Sequence, residues 1–270
     1  ISKNDIYFQV FRSRKMKIVS WNCHYGLTEK NFKQLFEAEN GKFAGADVYA
    51  FQEVLENEFI NISDYEGTQD YKYRHWYGDH QEYGDCHVPR GFEGDLGIVL
   101  MSNKYKISRI DQGLIRFRYV IPYCLENENE KFYLFHVWTK AKPDGYIETI
   151  YKALEYYKQY KEFNNLNAPI VMLGDFNFGV NYEDPFLKTF ENKIQKSFNN
   201  MKLLTLKGDN TQSFYYPRCR DQKYFNDAVY VQNLNGNFSI GNTKDWIRAY
   251  GAASDYSDHC PILAEIDLIK

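Results

Sequence analysis

The 270-residue sequence predicts a layered α/β fold in one large domain. Three observations carry that reading. Short apolar or alternating runs with strand character are interspersed with stretches at helical spacing, though not in strict βαβ order. Polar clusters terminate several of the apolar runs. No repeat with a period of about 20–50 residues, no low-complexity tract and no Pro/Ser-rich linker divides the chain.

Taken in order, residues 1–15 (ISKNDIYFQVFRSRK) are expected to be an N-terminal extension or remnant outside the fold, because Met16 directly precedes an apolar strand. The domain is placed at 16–270. Lys17-Ile-Val-Ser-Trp21 alternates and runs into Asn22, and Asp47-Val-Tyr-Ala-Phe-Gln-Glu53 is an apolar run ending in a carboxylate; both read as strands. Between them Phe32, Leu35 and Phe36 stand at i, i+3, i+4 behind Thr28, which predicts a capped helix. Residues 61–95 show no clean period and read as a functional loop carrying Tyr65, Tyr71, Tyr73, Trp76, Tyr77, Tyr83 and Phe92. Gly97 to Ser102, Gly113 to Ile121 and Phe132 to Trp138 are further strands. A helix is expected from Ile147 to Phe163, ended by Ala168-Pro169 before the strand Ile170-Val-Met-Leu-Gly-Asp175. Pro185 opens a helix through Phe190, and 222–232 and 261–268 supply late strands.

Composition narrows the partners. With 33 Lys+Arg against 36 Asp+Glu the net charge is −3, so the chain is no basic nucleic-acid glove. The 24 Tyr and 20 Phe exclude a disordered or collagen-like chain. No run reaches the ~18 apolar residues of a membrane span. Five scattered cysteines favour a reducing compartment, and the first residues lack an apolar signal core, so a cytoplasmic protein is expected.

Five polar clusters sit at predicted strand ends: Trp21-Asn22, Gln52-Glu53, Gly174-Asp175-Phe176-Asn177, Asn226-Asp227 and Ser257-Asp258-His259. In layered sheets strand ends share a rim, so these groups can converge. They offer hard oxygen ligands for Mg²⁺ or Mn²⁺, a base for water, and a His with a carboxylate partner, which together suit phosphoryl chemistry.

The sequence resembles the endonuclease/exonuclease/phosphatase superfamily, the fold of deoxyribonuclease I and exonuclease-III-type enzymes. The resemblance spans the chain and rests on WN at 21–22, QE at 52–53, GIVLMS at 97–102, His136, GDFN at 174–177, ND at 226–227 and SDH at 257–259, in the family's order. It implies a four-layer sandwich of two packed mixed β-sheets flanked by helices, with a metal-dependent phosphoester hydrolase site at one end. By the same resemblance Glu53 is the main metal carboxylate, with Asn22 and Asp258 beside the metal and phosphate. Asp175 orients or deprotonates the attacking water, Asn177 holds water or phosphate, His259 donates to the scissile phosphate, Asp227 fixes its tautomer, and His136 could protonate the leaving oxygen. Two departures stand out. His24 occupies the position where several exonuclease-III-type members carry an acid, leaving open whether one ion or two are bound. Pro217-Arg-Cys-Arg-Asp221 offers Asp221 as another partner for His259, although Asp227, opening the strand Ala228-Val-Tyr-Val231, is preferred.

Plainer readings apply to single pieces. Gln52-Glu53 alone is a solvated strand end, GDFN alone an Asx-turn, and His136 a buried structural histidine. His75, His80, Cys86 and His87 form a loose cluster with no common zinc spacing. Basic stretches at 104–118 and 188–207 are solvated faces or phosphate tracks. The reading adopted is a Mg²⁺- or Mn²⁺-dependent phosphodiesterase, an endonuclease with nucleic acid as substrate and Trp76, Arg116 and Arg118 as contacts. Neither a membrane nor an obligate protein partner is expected. An inositol-phosphate or nucleotide phosphatase and an inactive nucleic-acid- or protein-binding scaffold are the alternatives.

Overall fold

The computed structural model describes residues 15–24, 27–62, 71–79, 95–111, 117–139, 145–164, 168–180, 185–198, 201–209, 211–215, 224–246 and 257–268. Its strands are β1 (Lys15–Asn22), β2 (Val48–Leu55), β3 (Tyr73–Asp79), β4 (Leu96–Ser102), β5 (Lys106–Arg109), β6 (Val120–Glu126), β7 (Lys131–Trp138), β8 (Ile170–Val180), β9 (Lys202–Leu203), β10 (Thr205–Lys207), β11 (Phe225–Gln232), β12 (Asn235–Ile240) and β13 (Ile262–Asp267). The helices are α1 (Glu29–Gly41), α2 (Glu56–Asn61), α3 (Tyr146–Tyr157), α4 (Lys161–Asn164), α5 (Pro185–Ser197) and α6 (Thr243–Trp246).

Parallel strands need a crossover, and α1 provides it between β1 and β2. Thr28 caps α1 as expected, its hydroxyl accepting from the Asn31 N–H at 3.3 Å. The buried face of α1 sets Phe32 against Tyr49 and Phe51, with centroids 6.4 and 6.0 Å apart. That covers one face of a seven-stranded sheet ordered β10-β12-β13-β1-β2-β4-β3. The second sheet has six strands, β5-β6-β7-β8-β11-β9. Tyr157 and Phe163 pack on Phe135, and Phe190 on Phe176 and Tyr230, so α3 to α5 cover its outer face. The two inner faces meet, giving the four-layer sandwich.

Differences from the sequence expectations have local causes. β3 lies within the stretch read as a loop; its polar and aromatic alternation befits an edge strand that, among the described residues, pairs only with β4. The strand expected at 113–121 begins at Val120 and runs on through Pro122 to Glu126. Pro122 is tolerated because its carbonyl, accepting from Ile110 N–H, faces the β5 side just past that strand's end, where a missing N–H breaks no ladder bond. The helix expected from Ile147 to Phe163 breaks at 158–160, where tight turns bring Phe163 to 4.8 Å from Phe135. The short strands β5, β9, β10 and β12 had no apolar run to announce them. Residues 1–14, most of the 61–95 stretch, His80, Cys86, His87, Arg116 and Asp221 lie outside the described residues.

Candidate active site

Parallel pairing from Ile18↔Val48 to Asn22↔Gln52 ends β1 and β2 at one rim. Glu53 reaches that rim through a bulge. Gln52 pairs with Ile98 and Val54 with Gly97, leaving Glu53 unpaired at φ 56°, so its carboxylate is turned out of the strand's alternation. Asn22 Nδ2 then donates to Glu53 Oε1 at 3.0 Å and to Asp175 Oδ2 at 2.8 Å.

Asp175 comes from the facing sheet. β7 and β8 run parallel and approach so closely at Gly174 that a Cβ there would lie 1.9 Å from the Val137 carbonyl oxygen. The next residue is Asp175, fully buried. Its carboxylate also accepts from the Asn177 main-chain N–H at 2.9 Å and from Asn177 Nδ2 at 2.6 Å. Asn177, at φ 56°, closes this turn and donates to the Thr139 carbonyl at 3.1 Å.

His259 completes the cluster. Its Nδ1 is 2.8 Å from Asp227 Oδ2, while Nε2 points toward Asp175 Oδ2 at 3.8 Å and Asp258 Oδ1 at 3.9 Å. Ser213 accepts from the N–H groups of Asn226 and Asp227, and Ser257 accepts from His259 N–H while donating to the Asn22 carbonyl. The Trp21 indole donates to the His259 carbonyl, tying β1 to the same loop.

Burial sets the charges. It drives the Asp175 carboxyl well above the usual range, against the pull of the His259 ring and the Asn22 bond. For His259 burial acts downward, but the Asp227 and Asp175 carboxylates outweigh it and raise the ring above its ordinary value. A base and an acid with displaced affinities thus sit side by side.

Of the residues expected at the site, Asn22, Glu53, Asp175, Asn177, Asp227, Asp258 and His259 converge. His136 is not among them. It is fully buried between the sheets, its Nε2 is 2.7 Å from Gln52 Nε2, and burial pushes it down to about 3, which disfavours the protonated form that an acid for the leaving oxygen needs. In register, Trp138 rather than His136 stands beside Asp175. Trp76 is half-buried and its indole donates to the Val54 carbonyl at 3.2 Å, next to Glu53. Arg118 precedes Tyr119, whose main chain pairs with Trp138, so it stands at the same rim. His75 is 3.2 Å from the Tyr123 hydroxyl. Ser213 and Thr139 support the site without any sequence signal, being single hydroxyl residues outside the polar clusters.

The donor chemistry fits a divalent cation. Among the described residues, ligand atoms of Asp175, Asp227 and His259 lie within 4.8 Å of one another. Glu53 and Asp258 form a more open mouth beside them, with side chains 15% and 30% exposed. A hard cation retains several waters, and the buried triad, with His259 Nδ1 already engaged by Asp227, has less space for them than the mouth.

The structure resembles sphingomyelinase C from Streptomyces griseocarneus at 11% identity, covering 93% of this chain and 99% of that one with a TM-score of 0.62. It also resembles a Staphylococcus aureus beta toxin mutant with bound magnesium ions (16%, 93% and 99%, 0.60) and the endonuclease domain of TRAS1, a telomere-specific non-LTR retrotransposon (12%, 95% and 100%, 0.58). At these identities the likeness speaks for the fold. No curated protein matches the sequence. The Endonuclease/Exonuclease/phosphatase family matches residues 19–227, which takes in Asn22, Glu53, Asp175, Asn177 and Asp227. With that match and the carboxylate and histidine cluster at the rim, the chain belongs to the endonuclease/exonuclease/phosphatase family and is a metal-dependent phosphoester hydrolase.

Proposed function

We propose that this enzyme is a Mg²⁺- or Mn²⁺-dependent phosphodiesterase that cuts nucleic acid internally. The observation that carries the chemistry is the pairing of a buried, doubly amide-bound Asp175 with a His259 whose Nδ1 is held by Asp227. With Nδ1 so engaged, Nε2 is the atom that faces substrate. It donates to a non-bridging phosphate oxygen as charge builds there. Asp175, fixed by Asn22 and Asn177, takes the proton of the attacking water as the water oxygen bonds to phosphorus and the P–O bond to the leaving oxygen breaks, the departing alkoxide taking its proton from solvent. Glu53 and Asp258 would hold the cation, which supplies Lewis-acid offset of the phosphate charge. Asn22, bonded to both Glu53 and Asp175, keeps the cation side and the water side in fixed relation.

Two features support a polynucleotide. Arg118 stands at the rim, and β3 and β5 bring His75, Tyr77 and Arg109 together along one edge, with the guanidinium 4.1 Å from the Tyr77 ring centroid. Ring and cation surfaces of that kind suit stacked bases and phosphates. The TRAS1 endonuclease domain shares the fold. Free thiols at Cys23, Cys124 and Cys260 accord with a reducing, cytoplasmic setting, which we include in the proposal.

The test is a substrate panel run with Mg²⁺, Mn²⁺ and EDTA. The expected result is cation-dependent cleavage that improves steeply from mononucleotide to long oligonucleotide, with binding weakened by ~1–3 kcal/mol in Trp76→Ala if its exposed edge stacks a base. Equal efficiency on both lengths would count against a nuclease and favour the small-phosphoester reading.

A further inference from the structure

We propose that His24 supplies an imidazole nitrogen to the bound cation, making this a mixed nitrogen and oxygen site that favours a first-row transition ion such as Mn²⁺ over Mg²⁺. The inference rests on the metal-dependent reading above. His24 Nδ1 lies 3.4 Å from Asp258 Oδ1 and 3.7 Å from Glu53 Oε2. Adjacent ligands on a six-coordinate ion with bonds of about 2.1 Å are about 3 Å apart. The three side chains therefore need only a modest contraction to share one ion.

Local backbone chemistry holds the ring there. His24 N–H donates to Asn22 Oδ1 at 3.0 Å, and His24 adopts φ 45°, a left-handed conformation that curls the chain back over Asn22. The imidazole is consequently directed at the mouth carboxylates. Its side chain is 44% exposed, against 15% for Glu53 and 30% for Asp258, so the coordination sphere can be completed by water and by substrate phosphate. The neighbouring Asp175, Asp227 and His259 triad differs in both respects, being more deeply buried and bonded within itself.

Donor identity then sets selectivity. Mg²⁺ takes oxygen ligands almost exclusively and sheds water reluctantly, whereas imidazole is a good ligand for first-row transition ions. An acid at position 24 would add a third carboxylate and suit Mg²⁺; a histidine there moves the preference the other way.

The experiment uses the metal-stripped full chain titrated with Mn²⁺ alone, read by pulsed electron paramagnetic resonance for nitrogen coupled directly to the ion. Wild type is expected to show the coupling of a bound imidazole, and His24→Asp to lose it while still binding Mn²⁺. The same substitution, which keeps a side chain tolerant of the left-handed backbone, should lower the ratio of Mn²⁺ to Mg²⁺ affinity by about tenfold or more. Bound Mn²⁺ with no nitrogen coupling in an enzyme that needs the ion for cleavage would overturn the inference alone. Coupling that survives His24→Asp and disappears in His259→Asn would also overturn it, placing the ion in the buried triad. A wild type that binds no Mn²⁺ and cleaves phosphodiesters equally well in EDTA would overturn both this inference and the metal-dependent reading.

Discussion

Asp175 receives hydrogen bonds from two asparagine side chains and one main-chain N–H, yet burial still keeps its carboxyl reluctant to ionise. A carboxylate so placed is a strong base held in one orientation. Asp175→Ala and His259→Ala should each slow the chemical step by ~10² or more without unfolding the chain, measured as single-turnover rates on samples with native circular dichroism. Asp227→Asn should act differently. Asp227 raises both Asp175 and His259, so neutralising it should move the acidic and alkaline limbs of the rate profile to lower pH, with a smaller loss at the optimum. Limbs that stay in place would remove Asp227 from this electrostatic role. The reacting side chains were legible in the sequence because each adjoins an apolar run, Glu53 and Asp175 after one and Asp227 and His259 ahead of one. Depth along a strand was not: His136 differs from a rim residue only by the two positions that separate it from Trp138, and pairing with β8 decides that.

Glu53 shows how a whole strand serves one side chain, since the bulge between Gln52 and Val54 is what aims it at Asn22. Gly174 has the same standing in β8. Gly174→Ala should destabilise the protein by at least ~2 kcal/mol in denaturant unfolding, because the new Cβ would meet the Val137 carbonyl at a φ of 136° that L residues rarely adopt. Glu58 on α2 supplies a pH-sensitive joint. Burial pushes its carboxyl up to about 7, while the N–H groups of Leu27 and Leu55 pull it back. A carboxyl raised in the fold stabilises fully below its unfolded value and loses that contribution as pH rises through the folded one. Glu58→Gln should therefore be more stable than wild type near pH ~8 by on the order of 1–3 kcal/mol and gain nothing near pH ~4, as read from urea midpoints. A wild type that is the more stable at the higher pH would contradict this. Elements with a continuous apolar or 3.6-residue pattern, such as β2, β4, β8 and α1, were readable directly. β3, β10 and β12 were not, because edge and near-edge strands with polar faces carry little periodicity and are selected by the neighbours they pair with.

The two sheets bring together groups that no local pattern links: Asn22 and Glu53 from one, Asp175 and Asp227 from the other, and His259 from the segment leading into β13. Alternating strands and helices pointed to a layered α/β domain, and the ordered motifs, through their family resemblance, to a sandwich of two sheets; the strand order came only with the structure. With a net charge of −3, polynucleotide binding should depend on local cations such as Arg118, so affinity should fall as salt rises, with a slope smaller than that of a basic DNA-binding domain. A salt-independent affinity for long oligonucleotide would argue against phosphate contacts. The central claim is that one cation-dependent cluster of Asn22, Glu53, Asp175 and His259 hydrolyses phosphoesters. Its most direct measurement is cleavage of a defined phosphodiester by metal-stripped wild type and Asp175→Asn, each with and without added Mn²⁺. Cleavage only in wild type with Mn²⁺, and at least ~10² slower in the variant, is the predicted result; equal rates in EDTA, or an unimpaired Asp175→Asn enzyme, would contradict it.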